Sequence, residues 1–206
     1  MRIDLIITDR CIQEGRLPPL EAVAPYVDRL QLRLKHQTAL LTFQLGARLL
    51  ETGWKQEQLL INDRIDIARA LGCGVHLPER GMSPPLVRRH SPYVRELGVS
   101  VHSLASAHEA QRLGADYVTF GHVYATPSKP GLPARGVDML RQLVTVLSIP
   151  VLAIGGVSIT NLAEVAAAGA SGVAVISAIL QQPDIEEAAH RLWIVGKSLR
   201  GEGMSI

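Results

Sequence analysis

The sequence is short of the features that usually betray a function. Its two cysteines, Cys11 and Cys73, have no CxxC spacing, so a disulfide framework is not expected, and two idle thiols fit a reducing compartment. No HxH, HExxH or Cys/His cluster points to zinc, so no metal site is expected from these residues. Charge is modest, at 19% of residues and a formal net +2, and no Lys/Arg run is present, which argues against a nucleic-acid partner. No apolar stretch approaches the roughly 20 residues of a membrane span. The opening "MRIDLIITDR" is too short an apolar run for a signal peptide and is interrupted by Asp4 and Asp9. The expectation is a cytoplasmic protein, free of membrane.

What is present is a globular composition, 47% apolar over 206 residues, most simply one domain with one core. Short apolar runs recur: "LIIT" (5–8), "RLQLRL" (29–34), "LLIN" (59–62), "GVHL" (74–77), "LGVSV" (97–101), "DYVTFGHV" (116–123), "PVLAIGG" (150–156) and "GVAVIS" (172–177). Between them lie stretches with helical spacing, such as "TALLTFQLGARLLETG". Strand–helix alternation with nearly continuous apolar strands implies a parallel sheet covered by helices. Eight units make an α/β chain, a single-domain (β/α)8 TIM barrel over 1–206. A doubly wound open sheet is the alternative, disfavoured because no GxGxxG opens the first unit. The weakest helix is the fourth, "ERGMSPPLVRRHSP", with room for two or three turns between prolines.

In a barrel the chemistry lies at the C-terminal strand ends. Along "LQLRLKHQ", Gln31, Arg33 and Lys35 share one face opposite Leu30, Leu32 and Leu34. A covered strand has no wet face, so such a row needs partners or a ligand, and an anion site at the mouth is the reading preferred over a solvated edge strand. Asn62 and Asp63 end the third strand, where they bind ligand or metal or simply cap the next helix. The sixth strand ends in His122, followed by a loop with Thr126, Ser128 and Lys129. A strand-end imidazole suits acid/base work, and two hydroxyls with a cation suit phosphate or carboxylate. Gly155 and Gly156 after the seventh strand allow close backbone approach to a ligand, beside Ile176 and Ser177 after the eighth.

The strings "QLRLK", "INDRIDIA", "GVHLPERG", "SVHS", "ADYVTFGHVYATPSKPG", "GVDMLRQL", "IPVLAIGGVS" and "GASGVAVISAI", in that order over nearly the whole chain, resemble the thiamin phosphate synthase/TenI superfamily of barrels. In the synthase branch the fourth-strand motif resembles "GVHLGQxD", whose aspartate helps hold magnesium for a diphosphate leaving group; Gly81 stands in that place here. "GHVY" replaces the synthase's "GPVF", and both departures are similar to TenI. "TPSK", like the synthase's "TxTK", and Asp63 point the other way. The resemblance thus implies a thiazole tautomerase, an isomerase needing no cofactor, with His122 as general acid/base. Its small-molecule ligand is a thiazole phosphate carboxylate. Gly156, Ile176 and Ser177 cradle the phosphate, and Gln31, Arg33, Lys35 and Asn62 line the other side, with Arg33 and Lys35 on the carboxylate. A thiamin phosphate synthase, or a regulatory protein that binds thiazole phosphate without turnover, is the alternative. The oligomeric state, a homo-oligomer included, stays open.

Overall fold

The computed structural model describes residues 1–199, so the expected domain of 1–206 runs beyond the described residues at 200–206. Eight parallel strands close into a barrel in chain order: β1 (Arg2–Thr8), β2 (Arg29–Arg33), β3 (Leu59–Asn62), β4 (Gly74–Leu77), β5 (Leu97–Val101), β6 (Tyr117–Gly121), β7 (Val151–Ile154) and β8 (Gly172–Val175). Outside them lie α1 (Ala39–Glu51), α2 (Ile65–Leu71), α3 (Pro84–His90), α4 (Leu104–Arg112), α5 (Val137–Val146), α6 (Leu162–Ala167), α7 (Ser177–Leu180) and α8 (Ile185–Ser198). The fold is the single-domain (β/α)8 barrel read from the sequence. None of the described helices is long and apolar enough to cross a membrane.

One unit departs from the expected rhythm. Between β1 and β2, residues 9–28 hold only two 3-10 turns, Asp9–Cys11 and Ala24–Tyr26. Gly15, Pro18, Pro19 and Pro25 break this segment too often for an α-helix to propagate. The short α7 ahead of α8 brings the number of described helices back to eight. In the fourth unit, α3 has seven residues and begins on Pro84, which lacks only an N–H that the first turn leaves unused.

Strand alternation separates two cores. Leu30, Leu32 and Leu59 join the large cluster beneath the helices, whereas Leu60, Tyr117 and Leu152 form a small cluster of their own inside the barrel. Gln31 stands in register between Ile6 and Leu60 and so belongs to the interior row, buried at 4% exposure. Below that row the interior is polar, unlike the aliphatic layers usual in such barrels. Arg2 donates from Nε and Nη2 to the two oxygens of Asp4 at 2.7 and 2.9 Å, and from Nη1 to Glu96 at 2.6 Å, while Arg29 reaches Glu96 at 3.0 Å. The Arg2 guanidinium lies 4.5 Å from the Tyr117 ring centroid. The Tyr117 hydroxyl meets His76 Nδ1 at 3.0 Å, and His76 Nε2 lies 2.9 Å from Ser100 Oγ and 3.2 Å from Thr119 Oγ1.

This interior column makes stability pH-dependent in opposing ways. Burial, helped by Arg2 and Arg33, pushes the His76 imidazole down to about 3. An unfolded histidine protonates near 6.5, so between those values the unfolded chain binds the extra proton. The contribution of His76 is therefore complete above about pH 6.5 and declines as pH falls toward 3. Asp4 acts with the other sign. Burial lifts its carboxyl to about 6 despite Arg2, so the folded state gains stability from its protonation as pH falls from about 6 toward 4. Replacing His76 by Gln removes only the first effect. Urea unfolding is expected to show the variant gaining on the wild type by about 1.4 kcal/mol per pH unit below 6.5. A constant difference from pH 7 to pH 4 would mean that His76 is not held neutral.

Candidate active site

The mouth of the barrel opens on a cavity of about 920 Å³, lined by Arg33 and Lys35 from the end of β2, Ser128 from the β6 loop, and Ile176 with Ser177 at the start of α7. These five sequence-predicted residues come together. The others stand around the mouth without lining this cavity. Gln31 is buried one row below Arg33. Asn62 donates from Nδ2 to the His76 carbonyl at 2.9 Å, which fixes its side chain at the end of β3. Thr126 and Lys129 close a turn in the β6 loop, Lys129 N–H to Thr126 O at 3.0 Å, and the Ser128 N–H faces Thr126 Oγ1 at 3.4 Å. Asp63, with φ 61°, is exposed beside Asn62 and does not cap α2, whose N-cap is Arg64.

Gly155 and Gly156 have φ of 90° and 68°, in the left-handed region. A Cβ on Gly155 would run into His122, and one on Gly156 would lie 2.6 Å from Ala125 O and 2.7 Å from Tyr124 Cβ. The glycine pair therefore lets the β7 loop lie flush against the β6 loop, an approach that its sequence reading assigned to a ligand. His122 itself is 8% exposed, and its Nε2 lies 3.3 Å from the Leu132 carbonyl oxygen.

Three features escaped the sequence reading. The helix-free β1 loop forms the outer wall of the cavity and brings Arg10, Arg16 and Asp9 to it. Asp9 clips this loop to β2: its two oxygens accept from the Lys35 and His36 N–H groups, each at 3.0 Å. These bonds hold its carboxyl below the usual range against the cost of desolvation. Arg135 donates to Gly121 O at 2.9 Å and His102 O at 2.8 Å, closing the base of the β6 loop. The string "TDR" at the end of β1 and its prolines were the available signals for the first two. Nothing local marks Arg135.

A mouth with four cations, Arg10, Arg16, Arg33 and Lys35, against Asp9 and Glu14 carries an excess of positive charge that would attract an anion. The family described as "Thiamine monophosphate synthase" matches residues 6–179. The chain belongs to the thiamine monophosphate synthase family. It is 36% identical over 210 residues to a thiamine-phosphate synthase of Methanocella arvoryzae, covering 98% of this chain and 99% of that one. It is 42% identical over 166 residues to a thiamine-phosphate synthase of Roseiflexus castenholzii, covering 79% and 73%. Thiamine phosphate pyrophosphorylase from Pyrococcus furiosus has the same fold, with TM-score 0.81, 29% identity and 96% of each chain covered. Relatives of the family named for the synthase overturn the tautomerase reading, and with it the isomerase class and the acid/base role given to His122 in that reaction. The class they support is a transferase.

Proposed function

We propose that the chain is a thiamin phosphate synthase, coupling hydroxymethylpyrimidine diphosphate to thiazole phosphate. The observation that carries this is likeness over the whole chain length to a relative so named. The cationic mouth supports it, since one substrate arrives with a diphosphate and the other with a monophosphate. A cavity of about 920 Å³ lies at the upper end of small-molecule sites. In the reaction the bond from the pyrimidine's methylene carbon to the diphosphate oxygen breaks, and the thiazole nitrogen forms a bond to that carbon. Negative charge grows on the departing diphosphate. Arg33 and Lys35, with Ser128 and Lys129 of the β6 loop, are the residues we assign to hold it, while Ser177 and Ile176 take the thiazole phosphate.

Magnesium, which the resemblance implies for the diphosphate, would find the exposed carboxylate of Asp63 at the end of β3. Gly81 offers no side chain, and the Glu79 carboxylate accepts from the His102 backbone N–H at 3.1 Å, with His102 Nδ1 lying 3.2 Å away. Among the described residues no group of three or more His, Cys, Asp or Glu side chains could hold a metal by itself. One carboxylate fits an ion whose remaining ligands are substrate phosphates and water. Bound there, it would neutralise charge on the leaving group.

The test is direct. Purified protein, given both substrates and magnesium, should release diphosphate and form thiamin phosphate in equal amounts, followed by mass spectrometry. Consumption of neither substrate over hours would end the synthase reading.

A further inference from the structure

The loop that carries Thr126, Ser128 and Lys129 is fastened unevenly. Its base is tied by backbone bonds, Val123 N–H to Ile154 O at 2.9 Å, Tyr124 N–H to Gly155 O at 3.0 Å and Arg135 N–H to His122 O at 2.9 Å, and by the Arg135 guanidinium. Its tip has only its own turns, Lys129 N–H to Thr126 O and Leu132 N–H to Lys129 O. Among the described residues, one side-chain bond runs from the barrel to this tip: His122 Nε2 to the Leu132 carbonyl, at 3.3 Å. A carbonyl only accepts, so Nε2 must carry the hydrogen. Leu132 itself is 57% exposed, so no burial of its side chain fixes the tip in its place.

We infer that His122 is a positioning residue: its Nε2–H latches the tip of the β6 loop through the Leu132 carbonyl and so holds Ser128 and Lys129 in place for the diphosphate. This rests on the synthase reading for its ligand, but not for the latch. An unlatched loop must lose its freedom when the ligand binds, and that cost falls on affinity before chemistry. The role needs a donor of the right reach and no proton transfer. Glutamine supplies such a donor and alanine does not.

Two measurements separate the latch from its alternatives. In steady-state coupling assays, His122→Ala is expected to raise KM for the pyrimidine diphosphate about 5- to 10-fold, with kcat changed less than about 3-fold, in line with the loss of one hydrogen bond. His122→Gln should stay within about 3-fold of wild type on both. Amide hydrogen exchange of the free proteins should show segment 126–134 exchanging faster in His122→Ala, and at the wild-type rate in His122→Gln. The inference is overturned if exchange in that segment is unchanged in His122→Ala, or if His122→Gln exchanges as fast as His122→Ala. It is equally overturned if His122→Gln loses kcat by 100-fold or more, which would mark a proton-transferring group. Because exchange needs no turnover, failure of wild-type coupling would sink the synthase reading while leaving the latch to stand or fall on the exchange data.

Discussion

Replacing Arg33 by Ala is expected to lower kcat/KM for the pyrimidine diphosphate by roughly 10²-fold, with little change in melting temperature. Arg33 ends β2 on the interior row, half-buried, and lines the mouth cavity beside Lys35. Among the described residues it makes no ion pair, so its guanidinium is kept at the mouth without a protein anion to neutralise it. Charge-assisted, bidentate bonds to a phosphate are worth about 1.5–3 kcal/mol each way of counting, and about 1.4 kcal/mol is tenfold in rate. Since charge on the diphosphate grows as its bond to carbon breaks, part of the loss should fall on kcat as well as KM. Arg33→Lys should recover only a fraction, because an ammonium gives a point charge where the fork gives two directed donors. Wild-type kinetics in Arg33→Ala, within about 3-fold, would move the diphosphate away from β2.

Gly98→Ala should lower the free energy of unfolding by about 3–5 kcal/mol. Gly98 sits in register between His76 on β4 and Tyr117 on β6. Those two side chains meet across it, hydroxyl to Nδ1 at 3.0 Å. An added Cβ would fall on the Tyr117 ring end and hydroxyl and lie 2.5 Å from His76 Nδ1. Overpacking alone costs about 1–3 kcal/mol, and parting two buried polar groups adds a similar amount. The partner variant Tyr117→Phe removes the hydroxyl and should cost about 1–2 kcal/mol. The double variant should then fall short of the summed losses by about 1 kcal/mol, since part of the crowding has gone. Denaturant titrations settle it: a Gly98→Ala loss under about 1 kcal/mol, or strict additivity, would mean that the interior yields more easily than its contacts imply.

Much of this protein was legible in one dimension. Short, nearly continuous apolar runs place β3, β4 and β5 at 59–62, 74–77 and 97–101, the bounds the structure gives them. Strand alternation puts Gln31 and Arg33 together on one face of β2, and eight repeats suit closure into a barrel. These are local properties: a residue's face depends on its neighbours two positions away. Five of the predicted site residues, Arg33, Lys35, Ser128, Ile176 and Ser177, share one cavity because strand ends converge in any closed barrel. The choice between the family's branches went astray on two positions, Gly81 and His122, each judged as if its residue type alone reported the chemistry.

Tertiary structure decided whatever depends on partners distant in sequence. Pattern puts His76 and Tyr117 on strands but cannot show that they meet, because 41 residues separate them and the sheet brings them together across Gly98. Nor can sequence show that the helix-free β1 loop folds back as a wall, held by Asp9 to β2 across 26 and 27 residues. His122 is the sharpest case. Its strand-end position was readable; the direction of its ring was not, and that direction, toward the Leu132 carbonyl, assigns it to the loop it holds. Periodicity fixes the face a side chain takes, whereas its partner is set by how the strands close and the loops return.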